Sequence, residues 1–163
     1  MTCKELLLSE LSASQWLFEN FTKDFTDDEA RFQPFDGGNH VIWLIAHVAV
    51  TEDWAVNLLG GGPKRLPEPI HQAFGGGRPC RTDTSLTLKE AWDMLKRTRK
   101  HTEEFIRAMP ESRLDEKSPQ GAPPQFPTVG AFLGLIGTHP FWHFGQLSVN
   151  RRMLKKPAVF DVQ

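Results

Sequence analysis

The sequence predicts an all-α fold: a four-helix bundle with long Gly/Pro-rich connections between helices two and three and between helices three and four. Three observations carry that expectation. Apolar residues recur at helical spacing in four separate stretches. No stretch alternates apolar and polar residues as a half-buried strand does. The segments between the stretches are dense in glycine and proline, which end helices. The chain has 163 residues, the size of one domain, and the whole of 1–163 reads as a single bundle. A chain of this length buries roughly 68–70% of its unfolded surface, so it needs no disulfide staple.

The first helix is expected from about Lys4 to Phe21, with Leu7, Leu8, Leu11, Trp16 and Leu17 on one face. Thr22 to Gly38 is polar, holds Pro34 and a Gly-Gly pair, and reads as a connection. Asn39 is a fitting N-cap for the second helix, which runs from Val41 through His47 to about Leu59. Its first ten residues are apolar almost all round, so it should be buried on most sides. Gly60-Gly61-Gly62-Pro63 stops it, and residues 60 to 82 read as a long loop, the kind that carries function or moves. Ser85 or Thr87 opens the third helix, where Thr87 with Glu90 matches a capping box. That helix reaches about Met109 and carries a sparse stripe of Trp92, Leu95, Phe105 and Ile106, which leaves one face wet. Pro110 to Pro127 is a second loop. The fourth helix spans about Thr128 to Leu154 and contains Gly130, Gly134, Gly137 and Gly145. Each glycine costs about 1 kcal/mol in a helix interior, so close helix–helix approach is the expected return. Pro140 removes the backbone bond to Ile136 and should kink this helix.

Charge narrows the function classes. Lys and Arg number 19 against 20 Asp and Glu, a net charge of −1. Nucleic-acid binding draws on unbalanced cationic contacts, and a membrane anchor of the polybasic kind does too, so neither partner is expected. The basic run Lys96-Arg97-Thr98-Arg99-Lys100 is answered by Glu103 and Glu104 and reads as a solvated helix face. The apolar run Val41 to Ala46 is too short to span a bilayer. Cys3 and Cys80 cannot form a disulfide framework. With no secretory signal visible at the start, a reducing, cytoplasmic location is expected.

Six histidines are present. His71, in the Gly/Pro loop, and His101, in the basic run, are expected to be exposed and without a role. His47 lies in the most apolar helix, and His139 and His143 lie four residues apart in the most aromatic one. An i, i+4 pair shares a helix face with Cβ atoms about 5–6 Å apart, which lets two imidazoles reach one ion. A third imidazole from a facing helix gives three protein ligands and leaves positions open for water or substrate. Burying three imidazoles without partners costs free energy each time, and one metal ion resolves all three. Core histidines satisfied by carbonyls are the competing explanation. His40, seven residues before His47, is a further candidate ligand, although a solvated place beside the cap suits it better. Gln146 is a candidate for orienting a bound ligand or an imidazole, and Trp43 for walling the pocket. Glu52 and Asp53 turn away from the His47 face by more than about 100°, so solvated surface is expected for them rather than general-base duty. No residue is assigned a catalytic role.

At these residues the sequence resembles the DinB-like superfamily of four-helix-bundle metalloproteins. The helix-two segment reads Val41-Ile42-Trp43-Leu44-Ile45-Ala46-His47, followed by Glu52-Asp53-Trp54. The last helix reads His139-Pro140-Phe141-Trp142-His143-Phe144-Gly145-Gln146, then Asn150-Arg151-Arg152. The departure from the family pattern is Pro140 between the two histidines. The resemblance covers the chain in order and length. It implies an up-down-down-up bundle, a metal site at His47, His139 and His143, and a homodimer; three imidazole donors make one divalent transition metal ion, Zn²⁺ or Ni²⁺, the expected occupant. It also implies a small-molecule substrate, with a low-molecular-weight thiol in the relatives that act as transferases or isomerases. A metal-dependent hydrolase and a non-catalytic small-molecule sensor stay open beside that activity.

Overall fold

The computed structural model describes residues 1–77, 80 and 84–160. Every regular element among them is helical: α1 Cys3–Thr22, α2 Asp27–Ala30, α3 Val41–Leu58, α4 Glu68–Phe74, α5 Leu88–Ala108 and α6 Val129–Met153, with a 3-10 turn at Glu111–Asp115. A lone bridge between Lys117 and Thr128 is the one extended pairing among the described residues. Four of these helices are long and form the bundle. Helix α3 packs against α5 and α6, and α1 packs against the same two, so α1 and α3 form one diagonal of the bundle.

Local chemistry sets the starts. Thr87 Oγ1 accepts from the Glu90 N–H at 3.2 Å while Glu90 Oε2 accepts from the Thr87 N–H at 2.8 Å, the capping box read from the sequence. Thr2 with Glu5 and Thr26 with Glu29 repeat it for α1 and α2. Helix α3 starts differently from expectation. His40, not Asn39, is the cap residue: its backbone is extended and its Nδ1 accepts from the Trp43 N–H at 3.0 Å. An imidazole lone pair thus satisfies one of the orphan donors at the helix start. At the other end Gly60 takes a φ of 85°, a left-handed turn that stops α3.

Two expected loops contain more structure than their composition suggests. Within 60–82, Pro67 and Pro69 set up the short α4, which ends at Gly75; proline suits a first helical turn because that turn's N–H groups lack partners anyway. Within 110–127 lies the 3-10 turn. The glycines of α6 divide. A side chain at Gly130 would meet Leu114, and one at Gly137 would meet Glu10 of α1, whereas Gly134 and Gly145 face open space. Close approach explains the first pair only.

The core comes in two clusters. One surrounds Val41–Val50 and takes in Phe18, Phe74, Leu95 and Leu147. The other gathers Leu11, Leu59, Ile106, Phe132 and Ile136 at the far end. Helix α3 is the shared axis. By length and composition it resembles a membrane span, yet 78% of it is buried inside the bundle, as a central core helix requires.

Candidate metal centre

Helix α3 brings His47, and α6 brings His139 and His143, to one place where the two helices pack. The ligand atoms of the three side chains lie within 4.8 Å of one another, and all three residues are buried. Ring centroids are 5.0 Å apart for His47–His139, 4.8 Å for His47–His143 and 4.5 Å for His139–His143, with planes 64°, 86° and 87° apart respectively. Among the described residues no other group of His, Cys, Asp or Glu converges in this way. Helix α6 runs unbroken through Pro140, and His139 Nε2 meets His143 Nε2 at 2.9 Å. Two nitrogens held at about 2.1 Å from one ion lie about 3.0 Å apart at a right angle. The donor set therefore fits adjacent positions on a single ion.

Hydrogen bonding fixes which nitrogen His47 offers. Its Nδ1 donates to the Phe74 carbonyl at 2.6 Å, so Nε2 keeps the lone pair. A carbonyl behind a ligating imidazole sets its tautomer and aim. Here that carbonyl is the last of α4, so the helix missed in the sequence holds a candidate ligand in place. Burial holds the three imidazoles neutral. It pushes His139 down to about 3, aided by His143 and His47. It pushes His143 down to about 4, with His47 adding to the effect and the Gln146 side chain opposing it. It lowers His47 as well, against the pull of the Phe74 carbonyl. Neutral imidazoles are the form that ligates a metal.

The surrounding residues fall into place unevenly. Trp43 stacks on His47 with centroids 4.5 Å apart and planes 12° apart, and it meets His143 edge-on at 6.3 Å. It backs the centre as well as filling the core. Gln146 is exposed and accepts from Asn39 Nδ2 at 2.9 Å, a bond from α6 to the segment just before α3. It approaches the His143 ring without completing a hydrogen bond to Nδ1, which is buried without a partner among the described residues. His40 is fully buried rather than solvated, and its Nδ1 is committed to the cap; it is not in the converging group.

A cleft of about 550 Å³ opens onto His47 and His139. Trp54, Phe126, Leu135 and Trp142 give it apolar walls, and Lys64 and Glu68 mark its polar side. Several residues expected at the surface are instead inside. His71 is 9% exposed, lines the cleft and places Nε2 2.8 Å from Asp53 Oδ2. Asp53 also accepts from the backbone N–H groups of Arg65 and Leu66. Glu52 is buried in an ion pair with Arg99, whose Nε lies 2.9 Å from Oε1 and whose Nη2 lies 2.5 Å from it. Arg99 therefore leaves the solvated face assigned to the basic run. His101 is buried too, at 7% exposure. No residue of helix α3 is fully exposed, so rotation away from His47 carries Glu52 towards α5 and Asp53 towards residues 65–71 rather than into water.

The family model described as the DinB superfamily matches residues 10–147. Among solved structures, the chain is similar to a conserved protein from Enterococcus faecalis, with a TM-score of 0.74 and 21% identity, covering 95% of this chain and 98% of that one. That likeness concerns the fold. A search among curated proteins finds no match.

Proposed function

This chain belongs to the DinB superfamily, and on that premise we propose that it is a metal-dependent enzyme acting on small molecules, with a low-molecular-weight thiol as nucleophile. His47, His139 and His143 hold one divalent transition metal ion, Zn²⁺ or Ni²⁺. The observation that carries this reading is the convergence of three buried, neutral imidazoles at a cleft open enough to admit a ligand. Imidazole donors suit borderline ions of this kind, and three protein ligands leave a position free. The ion, when bound, supplies the positive charge that brings a thiol or a water into its anionic form near neutral pH.

The chain's own residues do the rest. Phe74 holds His47 in the ligating tautomer. Trp43 closes the centre from behind. The apolar walls of Trp54, Phe126, Leu135 and Trp142 favour an organic thiol and its electrophile over bare water, which ranks thiol transfer or isomerisation above hydrolysis. A sensor would bind ligand in the same cleft without turnover.

Elemental analysis by ICP-MS of protein purified without added metal or an affinity tag tests the reading. About one transition metal per chain is expected for the wild type, as a three-imidazole site holds a single ion. The metal should be lost in His47→Ala/His143→Ala while circular dichroism stays helical. A wild type that carries no metal, and takes up neither Zn²⁺ nor Ni²⁺ when supplied, would sink the proposal. Assays of thiol transfer and of hydrolysis on the loaded protein then separate the reactions.

A further inference from the structure

The cleft holds a fourth histidine with a carboxylate behind it. We propose that His71 is the proton acceptor of this site, taking through Nδ1 the proton of a thiol that enters beside His47 and His139, with Asp53 holding the ring through Nε2–H. The inference rests on the metal-and-thiol reading above.

The hydrogen bonds assign the tautomer. Asp53 is buried on α3, and its carboxylate accepts the Arg65 N–H at 2.9 and 3.1 Å and the Leu66 N–H at 3.0 Å. The fourth contact, His71 Nε2 at 2.8 Å, completes a set in which the oxygens act as acceptors, so Nε2 carries the hydrogen. In a neutral imidazole the other nitrogen is then an acceptor, and His71 Nδ1 engages no described residue. A buried carboxylate on the far nitrogen orients a histidine base and stabilises the imidazolium that forms.

Position completes the case. His71 and Phe74 are three residues apart on α4, so they share one side of that helix. Phe74 turns its carbonyl to His47, and His71 lines the cleft that His47 and His139 also line. The other charged groups there, Lys64 and Glu68, pair with each other at 3.5 Å. Asp53 is thus the charged group hydrogen-bonded to His71. In the step itself the S–H bond breaks and its electron pair stays on sulfur as thiolate. The proton becomes the Nδ1–H of a His71 imidazolium. A purely structural Asp53–His71 pair, pinning residues 65 and 66 to α3, would move no proton.

The test uses Co²⁺-loaded protein titrated with 2-mercaptoethanol at about pH 7, where a free thiol is mostly protonated. Thiolate-to-cobalt absorption reports the thiolate. Calorimetry in phosphate and in Tris, whose ionisation heats differ, reports protons released to the buffer. The wild type should form thiolate while releasing well under one proton per thiol. His71→Gln should release a full proton and bind the thiol about tenfold more weakly, as loss of a supporting group at a metal site does, with affinity recovering as pH rises. Asp53→Asn should fall between. Equal proton release and equal affinity in wild type and His71→Gln overturn the proposal. Should His71→Gln fail to fold, ¹⁵N NMR of the wild-type imidazole decides. Nδ1 gaining a proton on thiol addition supports the assignment, and Nδ1 staying unprotonated overturns it. Absence of cobalt uptake, or of thiolate absorption in the wild type, removes the metal-and-thiol reading and this inference with it.

Discussion

Helix α3 buries polar groups in two regions barely more than one turn apart, and it treats them in opposite ways. At Glu52 both carboxylate oxygens face the Arg99 guanidinium, and Arg99 Nη1 donates to the Leu11 carbonyl and to Ser14 Oγ. Every charge there is matched inside the protein. At His47 the neighbours are two more imidazoles that can only compete for one proton, and their protonation is suppressed. The first region closes on itself between the two core clusters. The second leaves lone pairs converging beside a cleft. A buried polar group with a complete set of partners supports the fold. A buried set of converging lone pairs that an external cation could satisfy points to function.

Three experiments sharpen that contrast, taken from the largest expected effect. Arg99→Met leaves Glu52 as an uncompensated buried carboxylate and should cost about 3–5 kcal/mol in urea unfolding, without changing metal content in whatever fraction stays folded. Adding Glu52→Leu should recover most of the loss. If the single variant unfolds like the wild type, the ion pair does not hold the bundle's middle.

Acid comes next. The fold keeps His139 and His143 neutral, while the unfolded chain takes up their protons near the ordinary histidine pKa of about 6.5. Below that pH the unfolded state binds more protons, so metal-free protein should lose stability as pH falls. The slope approaches about 1.4 kcal/mol per pH unit for each such histidine. The loss continues until the folded forms themselves protonate, at about 4 for His143 and about 3 for His139. Urea midpoints measured in EDTA between about pH 7 and pH 5 read it, and replacing both histidines with Phe should flatten that part of the curve. The Glu52–Arg99 region should contribute no such histidine slope.

The smallest effect belongs to Gln146. Its side chain opposes the lowering of His143, so Gln146→Leu should weaken metal binding by about tenfold, the lower end for groups that support ligands, with little change in stability. Competition with a chelator measures it; unchanged affinity would leave Gln146 with only its bond to Asn39.

What the sequence disclosed follows the same division. The four long helices were legible because apolar spacing is local, as is the Thr87–Glu90 capping box of α5. The three converging histidines were legible because an i, i+4 pair and a lone histidine in an apolar helix are local as well. The partners of Glu52 and Asp53 were not, since Arg99 lies 47 residues away and His71 lies 18 residues away. A signal was present all the same: a helix apolar on every side has no wet face on which to put a carboxylate. Helix α4 escaped notice because seven residues between Pro67 and Gly75, with only Ile70, Ala73 and Phe74 as apolar markers, are too few to show a period. His71 went with it, and so did the carbonyl that aims His47.

The stacking of Trp43 on His47 has an optical consequence. The chain contains no tyrosine and five tryptophans, so its near-ultraviolet emission comes from indole. One of those indoles lies flat against a candidate ligand at 4.5 Å. An ion with partly filled d orbitals, such as Ni²⁺, drains the excited state of so close a neighbour, whereas closed-shell Zn²⁺ changes only its surroundings. The colour and brightness of this protein's own light would thus report the identity of an ion bound at the three histidines, with no label attached.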